Sequence, residues 1–211
     1  MTSDINLSAL CDYAEGRIAV ADLDLDSYIS TENMLQNKEG IGQSSGLPTV
    51  AQTQAYQPND VLVSNIRPYF RKIWFADRKG GCSNDVLVMR AKEDCYPRFL
   101  YYVLSDDAFF DYATATGKGT KMPRGDKGAI MRYSVPNMPY DTQVEIAETL
   151  SALDERIVEN KKINHHLASP RSVTESFPDI RRGNNVSLRV ARRAFSARFT
   201  RTCSNKGAVA A

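Results

Sequence analysis

Long apolar runs are missing from this sequence. No stretch approaches the roughly eighteen uncharged apolar residues that a bilayer-spanning helix needs. Residues 1–30 carry Asp4, Asp12, Glu15 and Asp22 where a secretory signal is basic and then apolar. These absences lead to the expectation of a soluble, cytoplasmic protein with no membrane partner. Paired cysteines are missing as well: Cys11, Cys82, Cys95 and Cys203 are scattered without a CxxC pair or a nearby histidine cluster. That spacing indicates neither a zinc knuckle nor a disulfide framework, and free thiols are expected. The two histidines, His165 and His166, are read as exposed residues near a helix end.

Of the 211 residues, 42% are hydrophobic and 25% charged, a globular composition that excludes collagen and a wholly disordered chain. The net charge of +2 conceals a split: residues 1–167 hold 18 basic and 23 acidic side chains, net −5, whereas 168–211 hold 9 and 2, net +7. The tail has eight Arg to one Lys and no sustained apolar period, so no packed element is placed there. One reading is a basic arm that follows a phosphate backbone. The preferred expectation is a disordered, frame-shifted or foreign extension.

Within the body, apolar and β-branched runs between turn residues predict strands over Asp60–Ile66, Lys72–Ala76, Asp85–Arg90 and Ile130–Val135. Pro68, Gly80 and Gly81 are assigned to the turns between them. Pro97–Thr114 reads as one or two helices that bury Phe99, Leu100, Val103 and Leu104. Gly117, Gly119, Pro123, Gly125 and Gly128 make 117–128 an exposed loop, and Trp74 is placed in or beside the core. The fold class is α+β: a mixed or antiparallel sheet domain with short helices over 1–138, followed by one long helix.

That helix carries the strongest periodicity. It starts at Pro139, whose missing N–H has no partner to lose in a first turn. Ile146, Leu150, Leu153, Ile157, Asn160, Asn164 and Leu167 then follow at spacings of 4, 3, 4, 3, 4 and 3, a heptad seam. From Asp141 to Leu167 such a helix runs about 40 Å at ~1.5 Å per residue, which suits pairing with another helix. Asn160 and Asn164 in the seam trade stability for register. A fraying polar helix end is the competing reading.

Two segments then resemble a known family. Asn59-Asp60-Val61-Leu62-Val63-Ser64-Asn65-Ile66-Arg67-Pro68-Tyr69-Phe70, leading to Gly80-Gly81-Cys82-Ser83-Asn84-Asp85, is similar to the target recognition domain of type I restriction-modification specificity subunits. Gln143, Ile146, Ala147, Leu150, Leu153, Asp154, Ile157, Asn160, Ile163 and Asn164 resemble the spacer helix that follows such a domain. The resemblance runs from about Ile5 to Leu167. It implies a non-catalytic subunit that reads double-stranded DNA, docks methyltransferase (modification) subunits and, for cleavage, a restriction subunit, with no cofactor of its own. Members typically carry two recognition domains and two antiparallel helices. One of each is found here, so the resemblance implies a half-length subunit that forms a homodimer through its helix, or a fragment truncated at Leu167.

Phosphates line DNA at one negative charge per ~1.7 Å, so an acidic body needs local basic clusters to hold it. Arg67, Arg71, Lys72, Arg78 and Lys79 against Asp77 give +4, as do Lys118, Lys121, Arg124, Lys127 and Arg132 against Asp126. Lys on a loop suits phosphates, while Arg and Asn make paired contacts to base edges. The candidate DNA-binding residues are therefore Asn65, Arg67, Arg71, Lys72, Lys118, Lys121, Arg124 and Lys127. Each is also readable as a solvated surface charge.

Other motifs invite other chemistry. Asn137-Met138-Pro139-Tyr140 is one residue from the Asn-Pro-Pro-Tyr signature of adenine methyltransferases, but no Gly-rich turn for a methyl donor accompanies it. Asp60 with Asp77 and Lys79 is the runner-up enzymatic reading, a metal-dependent nuclease. Asp22, Asp24 and Asp26 open like a calcium loop, yet Ser27 replaces the required Gly and Asn33 the closing Glu, so a solvated acidic edge and no metal are expected. Arg124-Gly125-Asp126 is an adhesion tripeptide only outside a cell. A protein adaptor that uses its helix and never touches DNA is the remaining alternative.

Overall fold

The computed structural model describes residues 3–119 and 121–168, with side chains as far as Asn164. Leu167, His165 and His166 as side chains, Cys203, and the tail from 169 onward lie outside the described residues. The chain divides into two units, the first spanning Met1–Lys161.

The architecture is α+β. Among the described residues the strands are β1 (Asp4–Asn6), β2 (Cys11–Tyr13), β3 (Arg17–Ala19), β4 (Tyr28–Ile29), β5 (Gln52–Tyr56), β6 (Val61–Ser64), β7 (Ile73–Phe75), β8 (Gly80–Cys82), β9 (Val86–Ala91) and β10 (Ser134–Pro136). The helices are α1 (Pro97–Leu104), α2 (Asp107–Ala115), α3 (Lys127–Ile130) and α4 (Tyr140–Ala168). One sheet has the order β2-β9-β6-β7, a second β3-β5-β8-β4, and β1 pairs with β10. All pairings are antiparallel except β4 with β8.

The first of these sheets is buried on both faces, which explains its continuous apolar runs. Side chains alternate across a strand. Val61 and Val63 of β6, Ile73 of β7, and Leu87 and Met89 of β9 therefore pack with Phe99, Leu100, Leu104, Phe109 and Phe110 of the helices. Leu62, Trp74, Val86 and Val88 face the other way, onto Ile29, Met34, Tyr56 and Cys82. Trp74 is thus a core residue, edge-on to Tyr56 at 5.7 Å between ring centroids. Cys11, Cys82 and Cys95 are free and buried, and burial pushes each thiol up to about 12.

The strands expected around 60–66, 72–76 and 85–90 form, each trimmed at its ends, and Pro97–Thr114 resolves into two helices. Asp106 separates them, its side chain accepting the Ala108 N–H and so capping α2. Phe99, Leu100 and Leu104 are buried as expected, and Val103 packs at the core's margin.

Three local expectations are corrected. Ile130–Val135 is not one strand: Asp126 caps α3 through a 2.9 Å bond from the Ala129 N–H, so the segment starts helical and turns before β10. Lys127 accordingly lies on a helix and not in the Gly-rich loop. Gly80 and Gly81 are strand, not turn. A Cβ on Gly80 would collide with the Ser27 carbonyl and the Tyr56 ring, and one on Gly81 would meet Thr53 Cγ2 at 2.6 Å. Glycine is needed there because β8 is pressed between neighbours.

Helix α4 begins against this domain. Gln143 and Ala147 are buried, and Ile146 packs on the helical side of the core. Further along, the Tyr102 hydroxyl donates to Asp154 at 3.0 Å and accepts from the Ser151 hydroxyl, whose oxygen in turn accepts from Arg98 Nε.

Candidate nucleic-acid interface

Two loops from distant parts of the sequence meet beyond the end of β6. Ile66 forms an isolated β-bridge with Arg124, and Arg124 forms another with Lys118. The Arg67 N–H donates to the Pro123 carbonyl at 2.8 Å, and the Gly125 N–H to the Asn65 carbonyl at 3.1 Å. The basic residues picked out separately at 65–72 and 118–127 thus belong partly to one surface.

The first loop is held in an unusual backbone state. Arg67 and Arg71 bracket the 3-10 turn Pro68–Phe70 with φ of 50° and 52°. Positive φ is uncommon for residues other than glycine, and it persists only where surrounding structure enforces it. Here the enforcement comes from backbone bonds: Asn65 N–H to the Asp85 carbonyl, Arg67 N–H to Pro123, and Lys38 N–H to the Arg71 carbonyl.

The candidate side chains have different surroundings. Asn65 is only 8% exposed, and its Oδ1 lies buried with no hydrogen-bond partner, as does Arg67 Nε. Arg71 faces α2, where it pairs with Asp107 at 3.0 Å and Asp111 at 3.7 Å. Lys72 donates to the Thr31 carbonyl at 2.6 Å, and desolvation by burial lowers its pKa. Lys118 pairs with Asp126 at 2.7 Å, and that hydrogen bond, with the capped Ala129 N–H, holds the Asp126 carboxyl down to about 2. Arg124 pairs with Asp85 at 3.0 Å while remaining exposed. Lys121 is exposed. Lys127 lies over the Tyr13 ring at 5.7 Å.

The surface brought together therefore comprises Arg67, Lys118, Lys121 and Arg124, carried by Asn65 and Pro123. Lys118 and Arg124 are ion-paired to Asp126 and Asp85 on that surface, whereas Arg71, Lys72 and Lys127 engage α2, Thr31 and Tyr13 away from the junction. Sequence reasoning counted Asp126 against its cluster but missed the counter-charges Asp85 and Asp107, which come from outside the clusters they meet. It also missed Tyr69 and Met122, exposed on the same two loops.

The nuclease constellation does not assemble as a vacant acid site. Asp60 is bound bidentately by Arg90, with Nε and Nη2 each 2.7 Å from a carboxylate oxygen, and it also accepts the Gln57 N–H. Asp77 faces Arg78 at 3.5 Å. Among the described residues no group of three or more His, Cys, Asp or Glu is placed to hold a metal ion. Asp24, of the acidic stretch, accepts from Asp26 N–H and from Ser27 N–H and Oγ, a local turn.

The helix presents its own surface. Of the seam, Ile146, Leu150 and Ile157 are half-buried, whereas Leu153 is 48% exposed and Asn160 and Asn164 are exposed. Val158 and Ile163 are exposed apolar neighbours. Among the described residues no helix is long and apolar enough to cross a membrane.

Comparison with known proteins gives concordant matches. The family described as "Type I restriction modification DNA specificity domain" matches residues 5–167. The Escherichia coli "Type I restriction enzyme EcoDI specificity subunit" is 29% identical over 145 residues, 64% of this chain and 32% of that protein. The crystal structure of the HsdS subunit from Thermoanaerobacter tengcongensis has a TM-score of 0.59 at 20% identity, over 78% of this chain and 45% of that one. The S subunit of a type I restriction-modification system from M. genitalium scores 0.54 at 19% identity, over 79% and 43%. A chain from a study of complex assembly and conformational transition of the type I R-M system scores 0.59 at 20% identity, over 83% and 51%. The chain thus spans a third to a half of the length of the relatives it matches, and the structural likenesses establish the fold.

Proposed function

Because this chain belongs to the family of type I restriction modification DNA specificity domains, we propose that it reads DNA sequence for a type I restriction-modification complex. The observation that carries the reading is the junction of Ile66 with Arg124, which places two basic loops on one surface. Lys118, Lys121 and Arg124 supply phosphate contacts and Arg67 a contact to base edges. Asp85 and Asp126 hold Arg124 and Lys118 in place until phosphates compete for them. The chain itself contributes recognition and no chemistry.

Helix α4 serves as the docking rod. Its start is locked into the domain through Gln143 and Ala147, while Leu153, Ile157, Asn160 and Asn164 offer a coiled-coil edge to a second helix. A second copy of this chain fits that edge, and modification subunits, with a restriction subunit for cleavage, complete the assembly. A cytoplasmic location follows from a DNA substrate of this kind.

The test is reconstitution of the full chain with modification subunits from the same genome. Co-elution together with sequence-selective retention of duplex DNA supports the proposal. Co-elution without DNA affinity supports the adaptor reading instead.

A further inference from the structure

Two large apolar side chains stand out on the basic surface: Tyr69 is 48% exposed and Met122 51%. One exposed apolar residue needs no explanation. These two are carried by loops that the Arg67 N–H to Pro123 carbonyl bond ties together, two residues from Tyr69 and one from Met122. Charged groups follow the same pattern, with Arg67 beside one and Lys121 and Arg124 beside the other.

Tyr69 is presented by a stiff element. Its 3-10 turn is bracketed by two arginines at positive φ, and its ring lies against Phe70 with centroids 4.7 Å apart. Phe70 is covered in turn by the Lys72 ammonium at 5.9 Å. Positive-φ backbone and the tilted contact with Phe70 thus hold the Tyr69 ring toward solvent, where its apolar edge is presented beside an exposed methionine. On duplex DNA the apolar group offered at a base edge is the thymine 5-methyl, which lies in the major groove.

We infer that Tyr69 and Met122 read thymine, making apolar contact with its 5-methyl group while Lys121 and Arg124 hold the backbone. This inference rests on the DNA-reading proposal above.

The probe is a duplex selected by the reconstituted full chain from a pool with a randomised core. Affinity is then measured on that duplex and on copies in which each thymine in turn is replaced by uracil, a change that removes the methyl alone. Wild type loses affinity about fourfold for each contacted methyl, the worth of roughly one buried carbon. The Tyr69→Ala, Met122→Ala double variant, with its thermal melt checked, binds the thymine duplex more weakly and no longer distinguishes uracil. Its salt dependence stays that of wild type, whereas Met122→Leu retains the discrimination.

A variant that still distinguishes thymine from uracil, or a selected sequence containing no thymine, overturns the inference and leaves the DNA-reading proposal standing. Failure of the wild type to select any duplex overturns that proposal, and the thymine assignment with it.

Discussion

The side-chain carbonyl of Gln143, on helix α4, accepts the backbone N–H of Tyr96 at 2.9 Å, just before helix α1 begins. Its amide donates to the Asp94 carbonyl at 3.2 Å and the Met138 carbonyl at 2.9 Å. One buried carboxamide therefore joins the rod to the domain, using donor and acceptor together. Gln143→Ala leaves these buried groups unpaired and is expected to lower stability by about 1–3 kcal/mol. Chemical denaturation followed by fluorescence of Trp74 measures it, and Gln143→Glu, which faces a carboxylate with two carbonyls, is expected to cost more.

Asp60 and Arg90 give a second stability prediction. The Asp60 side chain is 2% exposed and held by a guanidinium that is itself 39% exposed. Removing Arg90 leaves a buried carboxylate with no cation, so Arg90→Ala is expected to destabilise by about 2–4 kcal/mol, somewhat below the cost for a fully buried pair. The Asp60→Asn, Arg90→Ala double variant recovers part of that loss. Additive losses in the denaturation midpoints would show that the pair is not coupled.

The cap of α3 gives a pH dependence. The Asp126 carboxyl sits at about 2, first through its hydrogen bond from Lys118 and then through the Ala129 N–H. A depressed carboxyl stabilises the fold above its ordinary value near 3.9, and that contribution is lost as the pH falls toward 2. Carboxyl chemical shifts titrated by NMR are expected to place the Asp126 midpoint low in wild type. Lys118→Ala is expected to move that midpoint upward.

Much of this was legible in the sequence because burial on two faces writes itself as a continuous apolar run. Val61-Leu62-Val63 and Val86-Leu87-Val88-Met89 announced the central strands for that reason. The second sheet was not legible. β3 and β4 are only three and two residues long, β5 is half-buried, and Gly80-Gly81 signals a turn unless the crowding by Ser27, Tyr56 and Thr53 is known. The proposed interface divides likewise: charge clustering gathered Lys121 and Arg124, which are exposed, together with Arg71 and Lys72, and the partners Asp85 of Arg124, Asp107 and Asp111 of Arg71 and Thr31 of Lys72 all come from remote sequence. Long-range pairing decides which cations remain available, and no local pattern encodes it.

The exposed apolar edge of α4 predicts association. Leu153→Asp places a charge in the seam without touching Gln143 or Ala147, so the domain's thermal midpoint is expected to stay within about 2 °C of wild type, as for surface changes generally. Sedimentation analysis is expected to show a loss of self-association or of modification-subunit binding. An unchanged assembly would remove this edge from the docking surface.

The central claim, that the joined loops hold DNA, is tested most directly by the salt dependence of duplex binding in the Lys121→Ala, Arg124→Ala double variant of the reconstituted protein. Two lost phosphate contacts are expected to flatten the slope of log affinity against log salt by about 1.8, at ~0.9 per contact, with weaker binding across all sequences. A slope and affinity equal to those of wild type would contradict the account.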